Sequence, residues 1–216
     1  MVCVLCLAAA VGAVAVVLVL RLWIVLGPQD FTPRESLSLL VVAGSGGHTT
    51  EILRLVGSLS NAYSPRHYVI ADTDEMSANK INSFELDRAD RNPSTKYPRH
   101  HIHRIPRSRE VLQSWPSTVL TTLRSLWLCF PLLHHVKPDL VLCNGPGTCV
   151  PICASALLLG ILGIKKVIIV YVESLCRVET LSLSGKILLH LADYFIVQWP
   201  ALKEKYPKSV YLGRIV

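Results

Sequence analysis

Residues 39–55, LLVVAGSGGHTTEILRL, join an apolar, β-branched segment to a helical segment through a loop with three glycines and a histidine. A strand, a glycine-rich turn and a helix in this order open many α/β domains. Glycines let the backbone approach a ligand closely, and the first turn of a helix presents unpaired N–H groups. The stretch therefore predicts an α/β domain with a site for a phosphate or pyrophosphate, unless the glycines serve only a tight turn.

The loop departs from two common nucleotide-binding patterns. No Gly-Lys-Ser/Thr follows it, as a P-loop would require. Thr49 stands where G-x-G-x-x-G would have its third glycine. The loop is thus predicted to hold an anionic group without belonging to either pattern.

Outward from this stretch, apolar runs alternate with segments of helical periodicity. The predicted strands are 39–43, 68–71, 140–143, 167–172, 194–197 and 210–212, with 100–105 as a weaker candidate, and the predicted helices are 48–59, 74–88, 117–136, 149–162 and 180–192. Such alternation is typical of a parallel sheet covered by helices on both faces. We therefore predict one Rossmann-like, doubly wound α/β domain over residues 38–216.

A second glycine loop, NGPGTCVP at 144–151, follows the predicted strand at 140–143. Asn144, Gly145 and Gly147 make it adaptable, and Thr148 can cap the next helix. Ligands of open parallel sheets bind at the carboxyl ends of the strands. We expect the two glycine loops to face one cleft; the alternative is ordinary turn chemistry.

The N-terminal segment, 1–26, is predicted to be a transmembrane anchor, with a linker at 27–37. Residues 2–20 carry no charge, and as a helix they reach the ~30 Å of a bilayer core. A cleaved signal peptide is the alternative, although no basic segment precedes the apolar run. Arg21 and Arg34 lie on the C-terminal flank, which predicts a single-pass protein with a lumenal N-terminus and a cytosolic domain. Seven cysteines without framework spacing fit a reducing compartment.

Four segments in this order carry a family resemblance: VVAGSGGHTTEIL, DTDE, KPDLVLCNGPGTCVP and VIIVYVES. They resemble the N-terminal half of a GT-B glycosyltransferase of the bacterial lipid-linked GlcNAc transferase type. The chain is most similar to the family of eukaryotic membrane subunits of the two-chain UDP-GlcNAc transferase, which adds the second GlcNAc to GlcNAc-diphosphodolichol. The resemblance covers nearly the whole chain.

This resemblance implies a subunit of an inverting transferase that has little or no activity alone, because a GT-B enzyme needs two Rossmann-like domains. A small cytosolic partner would bind the donor, UDP-GlcNAc, so the chain itself is expected to hold no cofactor. The chain would bind the lipid-linked acceptor and recruit that partner to the endoplasmic reticulum membrane. Contact with the preceding GlcNAc-phosphate transferase is a further implied partnership.

Matching the family motifs assigns roles to individual residues. The expected contacts of the acceptor diphosphate are Gly44, Ser45, Gly46, Gly47, Thr49, Asn144, Gly145 and Gly147. One side chain must take a proton from the attacking hydroxyl, and the candidates are His48, Asp74 and Glu173. Which of them is the base stays open, and a carboxylate at a strand end can instead be solvated or cap a helix.

Two neighbouring segments raise the question of lipid contact. Residues 96–110 hold five basic side chains before the first acidic one, which attracts anionic headgroups or a diphosphate. Residues 114–135 combine Trp115, Trp127 and Phe130 with aliphatic residues. They are either a membrane-contacting surface or an ordinary buried helix kinked near Pro131.

The sequence gives less support to a metal site or to nucleic-acid binding. His100, His101, His103, His134 and His135 lack the spacing of a full ligand set, so no metal is predicted. The net charge of +7 comes without a nucleic-acid-binding motif, and membrane proximity explains it.

The C-terminal residues Leu212, Ile215 and Val216 are predicted to dock the missing half of the enzyme. A frayed terminus is the alternative. Two other functions remain as rivals: a self-sufficient, membrane-tethered nucleotide- or NAD-dependent enzyme, and a pure scaffold with a vestigial cleft.

Overall fold

The computed structural model describes residues 2–27, 35–91, 100–107 and 113–216. Within them the strands are β1 (Leu39–Val42), β2 (Arg66–Ala71), β3 (His100–Ile105), β4 (Leu140–Asn144), β5 (Ile168–Val172), β6 (Tyr194–Val197) and β7 (Val210–Tyr211), and the helices are α1 (Val2–Leu26), α2 (Gly47–Gly57), α3 (Glu75–Arg91), α4 (Trp115–Val136), α5 (Cys149–Ile161), α6 (Leu183–Leu188) and α7 (Pro200–Lys205).

The described strands form one parallel sheet in the order β3-β2-β1-β4-β5-β6-β7. From β1 the chain builds outward through β2 and β3, then returns to the other side of β1 with β4. The predicted doubly wound α/β fold is confirmed, including the weaker strand candidate at 100–105. The winding reverses between β1 and β4, which is where folds of this kind bind ligands.

Alternation along the central strands builds two cores, one on each face of the sheet. Leu39 and Val41 of β1 pack with α2 and α3, whereas Leu40 and Val42 pack with α4, α5, α6 and α7. All four side chains are fully buried. Burial on both faces explains why β1 reads as a continuous apolar run rather than an alternating one.

In the C-terminal third of the chain, two helices differ from those predicted from the sequence. The helix expected at 180–192 is shorter, because α6 begins after Ser182, whose hydroxyl accepts a hydrogen bond from the Gly185 amide (2.9 Å). Helix α7, which was not predicted, begins at Pro200. Proline at the first helical position is favourable because the N–H it lacks has no intrahelical partner there.

Helix α4 is longer than the sheet it covers. Its 22 residues extend about 33 Å, whereas a strand of six residues spans about 20 Å. Only three residues separate the C-terminal end of α4 from β4. The excess length therefore projects at the other end, beyond the carboxyl edge of the sheet.

The N-terminal segment is helical, as predicted, and its last turns pack on α5. Val25 is buried against Gly160, where a β-carbon would lie 2.9 Å from the valine. Lys166 donates from Nζ to the Ile24 carbonyl at 3.1 Å. Most of the predicted linker, 28–34, lies outside the described residues.

The predicted membrane crossing by 1–26 is not borne out. Among the residues that the structure describes, no helix combines the length and the apolar character that a membrane crossing needs. The confirmed part of this prediction is the helix Val2–Leu26.

Candidate functional site

The two glycine loops pack against each other at the carboxyl ends of β1 and β4. Gly145 adopts a positive φ of 69°, and a β-carbon there would lie 2.4 Å from Cε1 of His48. Gly44 has a similar constraint, since its β-carbon would lie 2.8 Å from Cγ of Pro146. These glycines therefore allow close packing of the loops, so the two loops meet at one edge of the sheet, and their common cleft stays a prediction.

His48, in the first turn of α2, lies at this junction and is half-buried. Its Nδ1 is 3.2 Å from Oδ1 of Asn144, the last residue of β4. The Asn144 side chain is fully buried and donates from Nδ2 to Glu51, one turn further along α2, at 2.9 Å. Glu51 also accepts a hydrogen bond from the Ser174 hydroxyl at 2.9 Å. One hydrogen-bonded chain thus joins the ends of β1, β4 and β5.

The exposed part of the first loop suits an anion. Ser45, Gly46 and Gly47 are exposed, and Gly46 has a positive φ of 64° with open space around its missing side chain. Helix α2 starts at Gly47, so unpaired amides and the positive end of the dipole face the same opening. Gly147 of the second loop is exposed as well.

Thr49, a predicted diphosphate contact, is fully buried. Its hydroxyl bonds to the Gly44 carbonyl and lies 2.7 Å from Oγ of Ser77. Gly44 is the first glycine of the loop, and Ser77 lies on α3 beneath it. The structure therefore places Thr49 as a support of the loop rather than at its open side.

Asp74, a candidate base, lies just before α3 and is 6% exposed. Its two carboxylate oxygens accept hydrogen bonds from the Ser77 amide (3.1 Å) and hydroxyl (2.7 Å). Oγ of Ser77 also lies 3.2 Å from the Gly44 carbonyl oxygen. Asp74 thus caps α3 and braces the glycine loop from below, so the geometry favours a supporting role over proton transfer.

Glu173, the third candidate, follows β5 and is fully buried. Its carboxylate accepts hydrogen bonds from the amide and hydroxyl of Ser182, both at 3.0 Å, and from the Ser174 amide at 3.2 Å. Burial raises the pKa of Glu173, and these hydrogen bonds partly oppose that rise. The bonds hold the β5–α6 connection in place.

The histidines gather elsewhere on the sheet. His67 of β2 stacks on His101 and His103 of β3, and its Nδ1 is 3.0 Å from Nε2 of His103. Burial lowers the pKa of His67 to about 4, with further lowering from the neighbouring histidines. In the described part of the chain, no group of three or more His, Cys, Asp or Glu side chains is arranged to hold a metal ion.

The predicted docking residues have different surroundings. Leu212 is exposed, whereas Ile215 and Val216 are half-buried against the core under α2. The Ile215 amide donates to Oε1 of Gln198 at 3.0 Å. The tail therefore folds back on its own domain, and docking through Leu212, Ile215 and Val216 stays a prediction.

Glu51 is the residue that the sequence reasoning missed. It lies in the quoted opening stretch, three residues after His48, and this spacing places two side chains on one helix face. That spacing was the available signal. The role of Glu51 becomes visible only in the structure, where β4 and β5 place Asn144 and Ser174 next to it.

Residues 39–215 match the family described as "Oligosaccharide biosynthesis protein Alg14 like". The chain belongs to the Alg14 family. The match spans the glycine loops, the His48–Glu51 chain and the C-terminal tail up to Ile215, so every site residue discussed above except Val216 lies within it.

Curated Alg14 relatives extend this match. The human protein named "UDP-N-acetylglucosamine transferase subunit ALG14" is 86% identical over 216 residues, covering all of both chains. The protein of the same name from Yarrowia lipolytica is 42% identical and covers 96% of this chain and 97% of its own. The Schizosaccharomyces pombe protein is 46% identical over 81% of both chains.

A solved structure shares the fold of this Alg14 family member. MurG from Acinetobacter baumannii, a GT-B glycosyltransferase, superposes with a TM-score of 0.54 at 16% identity. The overlap covers 76% of this chain and 42% of the MurG chain. The likeness concerns the fold alone, and it agrees with the half of a GT-B architecture that the sequence predicted.

Proposed function

We propose that the chain is one subunit of an inverting UDP-GlcNAc transferase that adds the second GlcNAc to GlcNAc-diphosphodolichol. The observation that carries the proposal is full-length similarity to relatives named as subunits of a UDP-N-acetylglucosamine transferase. The described residues form one Rossmann-like domain. A separate, small cytosolic subunit would supply the second domain and hold the donor, leaving this chain with little activity alone.

The cleft between β1 and β4 is the proposed acceptor site. The amides of Ser45, Gly46 and Gly47 would bind the acceptor diphosphate, because they are exposed at the positive end of α2. His48 stands next to them. A sugar hydroxyl held beside a bound diphosphate would thus lie within reach of the imidazole.

The transfer is a displacement at the anomeric carbon of the donor. The acceptor hydroxyl oxygen forms the new bond to that carbon, and the bond from the carbon to the UDP oxygen breaks with its electron pair leaving on UDP. The hydroxyl proton moves to Nε2 of His48, which we assign as general base. Asp74 and Glu173 brace the loops around it.

We further propose that the domain works on the cytosolic side of the endoplasmic reticulum membrane. Helix α1 exposes most of its described apolar side chains, including Trp23. Helix α4 exposes Val119, Leu123 and Trp127, which share one helix face, and Trp127 is 81% exposed. Both helices pack on α5, so both apolar surfaces lie on the same side of the sheet.

Transfer from UDP-GlcNAc to a diphosphate-linked lipid acceptor tests the proposed activity. We expect activity from the full chain only when the donor-binding partner is present, and its loss in His48→Ala. His190→Ala is the matched control, because that histidine is exposed at the opposite edge of the sheet. Transfer by the chain alone would contradict the division between two subunits. Tight NAD binding would instead favour the self-sufficient enzyme, and full activity of His48→Ala with intact recruitment would favour the scaffold.

The membrane arrangement has its own test. Trp127→Glu is expected to raise KM for a long-chain lipid acceptor and to leave KM for a short, water-soluble acceptor unchanged, since only the former requires lipid contact. A variant whose KM for the long-chain acceptor equals that of the wild type would exclude lipid contact through α4. A glycosylation tag before Val2 reports the position of the N-terminus: modification places it in the lumen, whereas an unmodified tag on membrane-bound protein means that α1 stays on the cytosolic side.

A further inference from the structure

The buried Asn144 amide has its orientation determined by its neighbours. The group assigned as Nδ2 lies 2.9 Å from a Glu51 carboxylate oxygen and 3.4 Å from the Val172 carbonyl oxygen. Both neighbours only accept hydrogen bonds, so the NH2 end of the amide must face them. A flipped amide would place its oxygen against a carboxylate and leave both unpaired.

This orientation determines which nitrogen of His48 carries the proton. With the NH2 end held by Glu51, Oδ1 of Asn144 faces Nδ1 of His48 at 3.2 Å. The amide oxygen only accepts, so Nδ1 must donate. The neutral imidazole then has an unprotonated Nε2.

We propose that Glu51 is a positioning residue that, through Asn144, holds His48 in the tautomer with Nε2 free to accept the acceptor's hydroxyl proton. This inference rests on the proposed function, since it concerns the same base and the same transfer. Glu51 itself touches neither substrate.

The same chain stabilises His48 after the proton has moved. The imidazolium carries protons on both nitrogens, and Oδ1 of Asn144 continues to accept from Nδ1. The negative charge of Glu51 lies one side chain further on and favours the positive ring. A carboxylate that orients a histidine acts in the same way in hydrolase triads, where it selects the tautomer and stabilises the imidazolium.

The decisive variant is Glu51→Gln, which keeps size and shape while adding a donor. The glutamine amide can accept from Asn144 or donate to it, so Asn144 can flip and present its NH2 group to Nδ1 of His48. That contact favours the tautomer with the proton on Nε2. We expect kcat of the complex with the partner subunit to fall about 10- to 100-fold, with KM for the acceptor unchanged.

Two further variants separate positioning from folding. Glu51→Asp retains the carboxylate and should recover part of kcat. Ser174→Ala removes the other hydrogen bond to Glu51 but leaves the bond from Asn144, so it should lose less kcat than Glu51→Gln. Equal losses of kcat in Glu51→Gln and Ser174→Ala would show that Glu51 merely ties the loops together, and would overturn the proposal.

The tautomer is measured directly by long-range 15N–1H correlation on the full chain labelled at histidine, with His48→Ala assigning the signal. We expect a protonated Nδ1 in wild type and a shift of the proton toward Nε2 in Glu51→Gln. A wild-type ring protonated on Nε2 overturns the proposal, even if the variants fail to fold. Full activity of Glu51→Gln beside an inactive His48→Ala overturns the positioning alone. Full activity of His48→Ala overturns the base assignment of the proposed function.

Discussion

Gly145→Ala tests whether the packing of the two loops determines the position of His48. The new methyl carbon would lie 2.4 Å from Cε1 and 2.6 Å from Nδ1 of the imidazole. Carbon atoms in contact prefer about 3.5 Å, so the ring must retreat by about 1 Å. A misplacement of ~1 Å can cost ~100-fold in rate, and we expect a fall of that size in kcat for GlcNAc transfer by the complex.

The same substitution has a second, separate effect on stability. Gly145 has φ of 69°, and a left-handed conformation costs an alanine ~1–2 kcal/mol. The matched control is Gly163→Ala, at φ of 74°, where the new methyl would meet only the flexible guanidinium of Arg21. Both variants should lose this free energy of unfolding, measured by urea titration, and Gly145→Ala should lose more because its methyl also displaces the imidazole.

Only Gly145→Ala should lose transfer activity. Wild-type kcat in a folded Gly145→Ala variant would refute the claim that this contact positions the imidazole. Equal losses of kcat in both glycine variants would mean that instability, rather than ring displacement, limits the rate.

Three other outcomes are expected from the described side chains. Glu85→Ala should lower the free energy of unfolding by ~3–5 kcal/mol in a urea titration, because it leaves the fully buried Arg66 without its carboxylate partner; a loss below ~1 kcal/mol would contradict that pairing. Cys176 is exposed and should react with N-ethylmaleimide in the native protein, whereas burial raises the pKa of Cys143 and should keep that thiol unmodified until unfolding, as mass spectrometry would show. Burial lowers the pKa of His67 to about 4, so the free energy of unfolding keeps its full value above pH 6.5 and falls as the pH drops toward 4. Because the ring is partly exposed, replacing His67 with Gln should remove only ~1–2 kcal/mol of this acid-dependent loss. An unchanged pH dependence of the free energy of unfolding would contradict this.

The fold was predictable because burial on both faces leaves a strong signal in the sequence. Strands such as β1 and β5 are continuous apolar runs, and glycine loops mark where β1 and β4 end. The helix after β5 was harder to place because its start depends on Ser182, which the buried Glu173 holds through two hydrogen bonds. That contact joins two segments of the chain across a loop, and local periodicity does not contain it.

The site was predictable only in outline for a similar reason. The sequence indicated His48 and two loops that could meet, but Thr49 and Asp74 look equally polar in the sequence and lie beneath the loop. Thr49 contacts Ser77 on a different helix, α3, and Asp74 caps that same α3. The sequence did not single out Glu51, because a glutamate on a helix is usually solvated. Its role follows from its contacts with Asn144 at the end of β4 and Ser174 just after β5.

The projection of α4 connects the proposed site with the proposed membrane surface. The proposed acceptor site lies at the carboxyl edge of the sheet, and the exposed apolar face of α4 runs from Val119 near that edge to Trp127 beside α5. The contact of α1 lies at the other end of α5, around Gly160. If both apolar surfaces contact lipid, the side of the domain formed by α5 lies along the bilayer, and the cleft opens beside the headgroups instead of away from them. An acceptor whose diphosphate stays at the membrane surface could then reach the amides next to His48 without its lipid chain leaving the bilayer.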